Sequence, residues 1–138
     1  MTRLLPTVAL DHVGIAAEHS ATALTGALDG GSLAGRQMPS GVAVGRFGPH
    51  QALELVWPAR PRSPIEGFLA RRGPGLHHVA LRVDAELEAL RARLAAAGLE
   101  VIGNRVEPSA DGRPCLFLHP RCMGGVLTEL VQGAPRRG

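Results

Sequence analysis

The chain repeats itself, and that repeat limits what it can fold into more than any other feature. LDHVGIAA (Leu10 to Ala17) aligns with LHHVALRV (Leu76 to Val83) at leucine, histidine and valine, and small residues then fall on small residues. Further along, ALELVWP (Ala52 to Pro58) aligns with LTELVQG (Leu127 to Gly133) through Glu-Leu-Val in register. Two matches in the same order imply a duplicated module.

Each copy has the same coarse grammar. In the second, a strand over 76–83 leads to Asp84 as a helix N-cap, then to AELEALRARLAAAG with Leu87, Leu90 and Leu94 on one face and Gly98 as the stop. LEVIG, CLFLHP and GVLTELVQ read as three further strands, with a turn through PSADGRP, so the order is β-α-β-β-β. The first copy is less regular: a strand at 8–16, a weak helix opened by Ser20 with Leu24 and Leu28, a glycine-broken stretch to residue 40, then the strands GVAVGRF and QALELVW. The fold class is α+β, in a single domain over 1–138: module one at about 7–58, a linker at 59–75, and module two at about 76–133. Within the linker, SPIEGFLARRG can form a short helix.

The repeat separates two adjacent histidines. Neighbouring strand residues point to opposite faces of a sheet, so His77 and His78 cannot serve one site. His78 aligns with His12, whereas His77 aligns with Asp11. His12, Gly14 and Ala16 share one face of the first strand, and His78 and Ala80 share the matching face of its copy. Val13, Ile15, Val79 and Leu81 point the other way, towards a face suited to burying helices. Glu54 and Glu129 occupy equivalent places in the last strand of each module, between apolar neighbours, where a carboxylate must be paired, protonated or bound to a cation. A lone strand histidine or glutamate is ordinarily a packed or solvated residue; recurrence of both in both halves reverses that reading. Paired by approximate two-fold symmetry, the modules would bring two imidazoles and two carboxylates together, a set that suits a catalytic divalent ion: Co, Mn, Ni, Fe or Zn. His77, Asp11, His19 and His50 are read as ordinary polar positions, His77 and Asp11 at most as strand-end or supporting groups, and Arg82 as a solvated strand end, with a place at the cavity mouth on the His78 face as the alternative.

Composition narrows the partners. The net charge is only +3, all fifteen basic residues are scattered arginines, and three Phe and one Trp leave little for base stacking, so no nucleic-acid partner is expected. No apolar run reaches the length of a membrane span, and no secretory signal opens the chain; a cytoplasmic protein is expected. Cys115 and Cys122, separated by six residues, fit neither a zinc ribbon nor a disulfide framework and read as small buried hydrophobes in a reducing compartment.

Taken together, LDHVGIAA, ALELVWP, SPIEGFLARRGPGLHHVALRVD and GRPCLFLHPRCMGGVLTELVQ resemble the methylmalonyl-CoA epimerases, within the vicinal oxygen chelate (glyoxalase/bleomycin resistance/dioxygenase) superfamily. The resemblance covers most of Leu10 to Gln132 and is strongest after Ser63. It implies two βαβββ modules forming a U-shaped mixed sheet around a central metal cavity, with His12, Glu54, His78 and Glu129 as ligands. It also implies a homodimer, an acyl-CoA thioester substrate, and inversion of the thioester's α-carbon through a metal-stabilised enolate. Glu129 takes the part of a proton carrier; the second glutamate of the family, on the third strand of module one, has no counterpart, because residues 30–53 contain no carboxylate and Val44 or a neighbour stands there. Water or His50 is left to fill that role. The alternatives are another enzyme of the superfamily, such as a glyoxalase-like lyase, or a small-molecule-binding resistance protein on the same fold; the intact ligand set weighs against the latter.

Overall fold

The computed structural model describes residues 8–19 and 36–133. The helix expected from Ser20 lies outside these residues. The described chain forms two compact units: residues 12–19 and 36–77 make an N-terminal unit, and residues 8–11 with 78–133 make a C-terminal unit.

Strand β1 (Val8–Ala16) enters the N-terminal unit at His12. There it joins β2 (Arg36–Gln37), β3 (Val42–Phe47) and β4 (Leu53–Pro58) in the order β2-β3-β4-β1. β1 runs parallel to β4, with Gly14 beside Glu54, while β3 pairs antiparallel with β4, with Arg46 opposite Glu54. A 3-10 turn at Pro49–Gln51 links β3 to β4, and Gly48 before it takes φ +80°, a backbone region that glycine enters at little cost. One side of these strands gathers Phe47 and Leu55 with Ile15, Leu53 and Trp57 into a small core. The histidine side of β1 is also dry: His12, Gly14 and Ala16 are buried, whereas Val13 and Ile15 are only half-buried. Helix α1 (Pro64–Arg72) falls within the linker segment. Proline at its first turn, Glu66 near its start and Arg71 and Arg72 at its end all suit the helix termini and dipole, and Gly73 at φ +72° stops it.

The C-terminal unit follows the expected order: β5 (Gly75–Val83, entering the unit at His78), α2 (Leu87–Ala96), β6 (Val101–Pro108), β7 (Pro114–Leu118) and β8 (Leu127–Gln132). Its strands lie β5-β8-β7-β6, with β5 parallel to β8 and the other pairs antiparallel. Leu87, Leu90 and Leu94 on α2 are at most 1% exposed and pack on Val83, Leu116, Leu118 and Leu130. At roughly 1.5–3 kcal/mol for each fully buried leucine, that stripe is the main reason α2 is a helix and stays docked. Its N-cap is Glu86, not Asp84: the Glu86 carboxylate accepts from the Glu88 and Ala89 amides at 3.0 and 2.9 Å. A cap must sit next to the first helical residue, and Asp84 lies three residues before Leu87. Gly98, at φ +85°, ends the segment as expected.

Cys115 is buried and Cys122 half-buried, and neither forms a disulfide. No helix among the described residues is long and apolar enough to cross a membrane.

Candidate functional site

Alternation along the strands, combined with their register, sorts each unit into two faces. In the C-terminal unit Leu81, Val83, Leu116, Leu118 and Leu130 turn to α2. The opposite face carries His78 and Ala80 from β5, Cys115 and Phe117 from β7, and Glu129 and Val131 from β8. Here His78 Nε2 lies 3.4 Å from Glu129 Oε2, with side-chain exposures of 4% and 6%. In the N-terminal unit His12 Nε2 lies 3.4 Å from Glu54 Oε2, with exposures of 0% and 5%. The residues matched by the sequence repeat therefore form matched pairs in space, one in each unit.

The spacing within a pair has chemical meaning. At 3.4 Å the nitrogen and oxygen are further apart than in a good hydrogen bond, which spans roughly 2.7–3.2 Å. Two donors that each bind one ion at about 2.1 Å, as His and carboxylate ligands bind zinc, stand roughly 3.0–3.4 Å apart. A buried carboxylate also needs a cation or a proton. Each pair thus fits half of a borderline divalent-metal site, imidazole nitrogen with carboxylate oxygen.

The surroundings of the two glutamates differ. Glu54 Oε2 also accepts a 2.9 Å hydrogen bond from Arg46 Nε. Glu129 faces Phe117 across the ladder, and the Phe117 ring stands edge-on to His78 at a centroid distance of 6.3 Å. The Cys115 thiol is hydrogen-bonded to Glu129; burial, reinforced by that carboxylate, pushes the thiol up to about 12, so it stays protonated through the neutral range.

One further expectation is overturned, that of Arg82, and it turns on Asp11, which is itself buried at 2% exposure. Its Oδ1 accepts from Arg82 Nη1 at 3.2 Å and Arg113 Nη1 at 2.8 Å, and its Oδ2 accepts from Arg113 Nη2 at 2.9 Å. Arg82, read as a solvated end, is 6% exposed, and its Nε is buried without a hydrogen-bond partner. Strand β5 continues past it to Val83, and Gly133 leaves space for its stem, since a Cβ there would stand 3.2 Å from Arg82 Cδ. Arg113 also grips Asp111, with Nη2 at 2.7 Å from Oδ2. Burial opposes ionisation of Asp111, but hydrogen bonds from Arg113 and Ser109 outweigh it and hold the carboxyl at about 2; the hydrogen bonds that Arg113 donates to the Asp11 carboxylate raise Arg113.

The remaining residues take ordinary places. His77 is half-buried and packs edge-on against Phe68 of α1 at 4.9 Å between ring centroids. His19 and His50 are exposed, the latter on the 3-10 turn with φ +58°. Arg46, Cys115 and the Asp11–Arg82–Arg113 group escape a reading of the sequence because none repeats between the halves. The partners of Asp11 lie 71 and 102 positions away, beyond any local pattern.

Among the described residues eight strands and two α-helices follow this order, with a His-Glu pair in each unit, and comparison with known proteins identifies the fold. Residues 11–117 match the model of the glyoxalase/bleomycin resistance protein/dioxygenase superfamily, and the chain belongs to that superfamily. Among individual proteins, it is 42% identical over 87 residues to the ethylmalonyl-CoA/methylmalonyl-CoA epimerase of Cereibacter sphaeroides, a match covering 61% of this chain and 63% of that protein. It is 40% identical over 81 residues to the mitochondrial methylmalonyl-CoA epimerase of Dictyostelium discoideum, covering 58% of this chain and 48% of that one. The matched stretch thus spans between about half and two thirds of these relatives. The crystal structure of methylmalonyl-CoA epimerase from Mycobacterium tuberculosis superimposes with a TM-score of 0.79 at 32% identity, covering 98% of this chain and 93% of that one. The expected fold class, an α+β mixed sheet in the glyoxalase-like arrangement, holds.

Proposed function

We propose that this protein is an isomerase that inverts the α-carbon of a methylmalonyl-CoA-type thioester, with His12, Glu54, His78 and Glu129 holding a divalent metal ion. The observation that carries this reading is the recurrence of one buried His-Glu pair at 3.4 Å in both units. Relatives bearing the epimerase name support the substrate class. The same reading takes the chain as one domain of two modules, 7–58 and 76–133, joined by 59–75, acting as a cytoplasmic homodimer.

The chemistry asks for two things. A proton must leave a carbon flanked by a thioester and a carboxylate, and the negative charge left behind must be held. A bound divalent cation supplies a Lewis acid for that charge. Glu129 carries the proton. On its face of the sheet it stands among Phe117, Cys115 and Val131, and its side chain is almost wholly buried. The Cys115 thiol, held protonated, donates to this carboxylate and orients it.

Inversion needs proton delivery on the opposite face of the planar intermediate. On the site-facing side of β3 stand Val44 and Arg46, and neither is a carboxylate. Solvent completes the inversion, and Glu129 works as the protein base. Metal-replete protein incubated with one epimer in deuterated water should both invert it and take up label at the α-carbon. Glu129→Gln should lower both by about 10²–10⁴-fold, the usual contribution of a positioned acid-base group. Label uptake at the wild-type rate in that variant would remove Glu129 from the role.

A further inference from the structure

The two glutamates match in sequence, in burial and in distance to histidine, and Glu54 is held by a guanidinium. Arg46 sits on β3 directly across from Glu54, and its Nε donates to Oε2 at 2.9 Å with side-chain exposures of 12% and 5%. The equivalent cross-strand place opposite Glu129 holds Phe117. Taking an arginine this far out of water is costly, and the ion pair with a buried carboxylate offsets the cost. The Oε2 held by Arg46 is also the oxygen that lies 3.4 Å from His12 Nε2. The guanidinium thus holds the very oxygen that faces the imidazole, and this hydrogen bond restrains the orientation of the carboxylate.

We propose that Arg46 is a positioning residue for metal binding, holding Glu54 beside His12 in the orientation in which it serves as a ligand. The inference rests on the metal reading above and adds a residue to it. Carboxylates that ligate metals are themselves held by hydrogen bonds, and losing such a holder commonly weakens affinity by about 10–100-fold. The second unit meets the same need differently, with the thiol of Cys115 hydrogen-bonded to Glu129. A lysine would keep the charge of Arg46 but not the planar, directional donor.

Cobalt(II) titration of metal-free protein, read by chelator competition and by the visible absorption of the bound ion, tests the proposal. Arg46→Met and Arg46→Gln should weaken cobalt binding about 10–100-fold and shift the absorption bands, with Arg46→Lys in between. Circular dichroism of the metal-free proteins identifies which variants keep the native fold. Placed on Glu54→Ala, Arg46→Met should change affinity by less than about threefold, because no carboxylate remains to be held. Wild-type affinity in either neutral variant that keeps its fold, or full additivity with Glu54→Ala, overturns the role of Arg46 while leaving the metal site standing. A wild-type protein that binds no cobalt, or Glu54→Ala binding as tightly as wild type, overturns the metal reading and this inference with it.

Discussion

The two units carry the same pair of site residues on unequal foundations. In the C-terminal unit three fully buried leucines of α2 lock onto the back of the sheet, and Asp11 ties Arg82 and Arg113 together in a buried charged group. In the described part of the N-terminal unit, the core behind Glu54 is Phe47 and Leu55 with partly buried neighbours. What recurs is the His-Glu spacing of 3.4 Å; what differs, among the described residues, is the packing behind it. A duplicated pair can keep its spacing while each copy finds its own support.

That comparison can be broken by removing supports one at a time and following chemical denaturation. The largest expected effect is in the charged group: Asp11→Ala leaves Arg82 buried beside an empty place and should destabilise the protein by about 3–5 kcal/mol. A loss under about 1 kcal/mol would mean that the arginines find other partners and that the group is not a foundation. Next, Leu90→Ala should cost about 2–5 kcal/mol, with Leu55→Ala, in the cluster that is smaller among the described residues, costing less. Equal losses at the two leucines would erase the contrast between the cores. The smallest effect concerns acid. Asp111 is held at about 2 against an ordinary 3.8, so its ionised form is favoured by folding. That stabilisation is fully present above about pH 4 and is lost as pH falls towards 2. Because Asp111 is partly exposed, solvent screening keeps the contribution small. Asp111→Asn should lower neutral stability slightly and flatten the acid limb of the stability profile by the same small amount; an unaltered acid limb would show that Arg113 is served by Asp11 alone.

Much of the site is legible in the amino-acid sequence. Duplication singles out His78 over His77, and the structure agrees in placing His78 beside Glu129 and His77 against Phe68. The α2 stripe is legible because leucines three and four apart make one face whatever the rest of the chain does. Its cap falls two residues later than the sequence suggests, since both Asp84 and Glu86 are acidic and only the start of helical backbone chooses between them. The burial of Arg82 is hidden for a different reason. A charged residue near a strand end is normally solvated, and nothing nearby in the chain announces Asp11 or the space beside Gly133.

By itself the sequence determined the repeat, the order of strands and helices, and which histidine and glutamate in each half belong together, because these follow from short periodicities and from a second copy that checks the first. Tertiary structure alone decided what stands next to them. Arg46 reaches Glu54 only through cross-strand register, Cys115 reaches Glu129 only across β7 and β8, and Asp11 meets arginines 71 and 102 residues away. Register and long-range ion pairing are set by the whole fold's packing and desolvation balance, and no local pattern of residues encodes them.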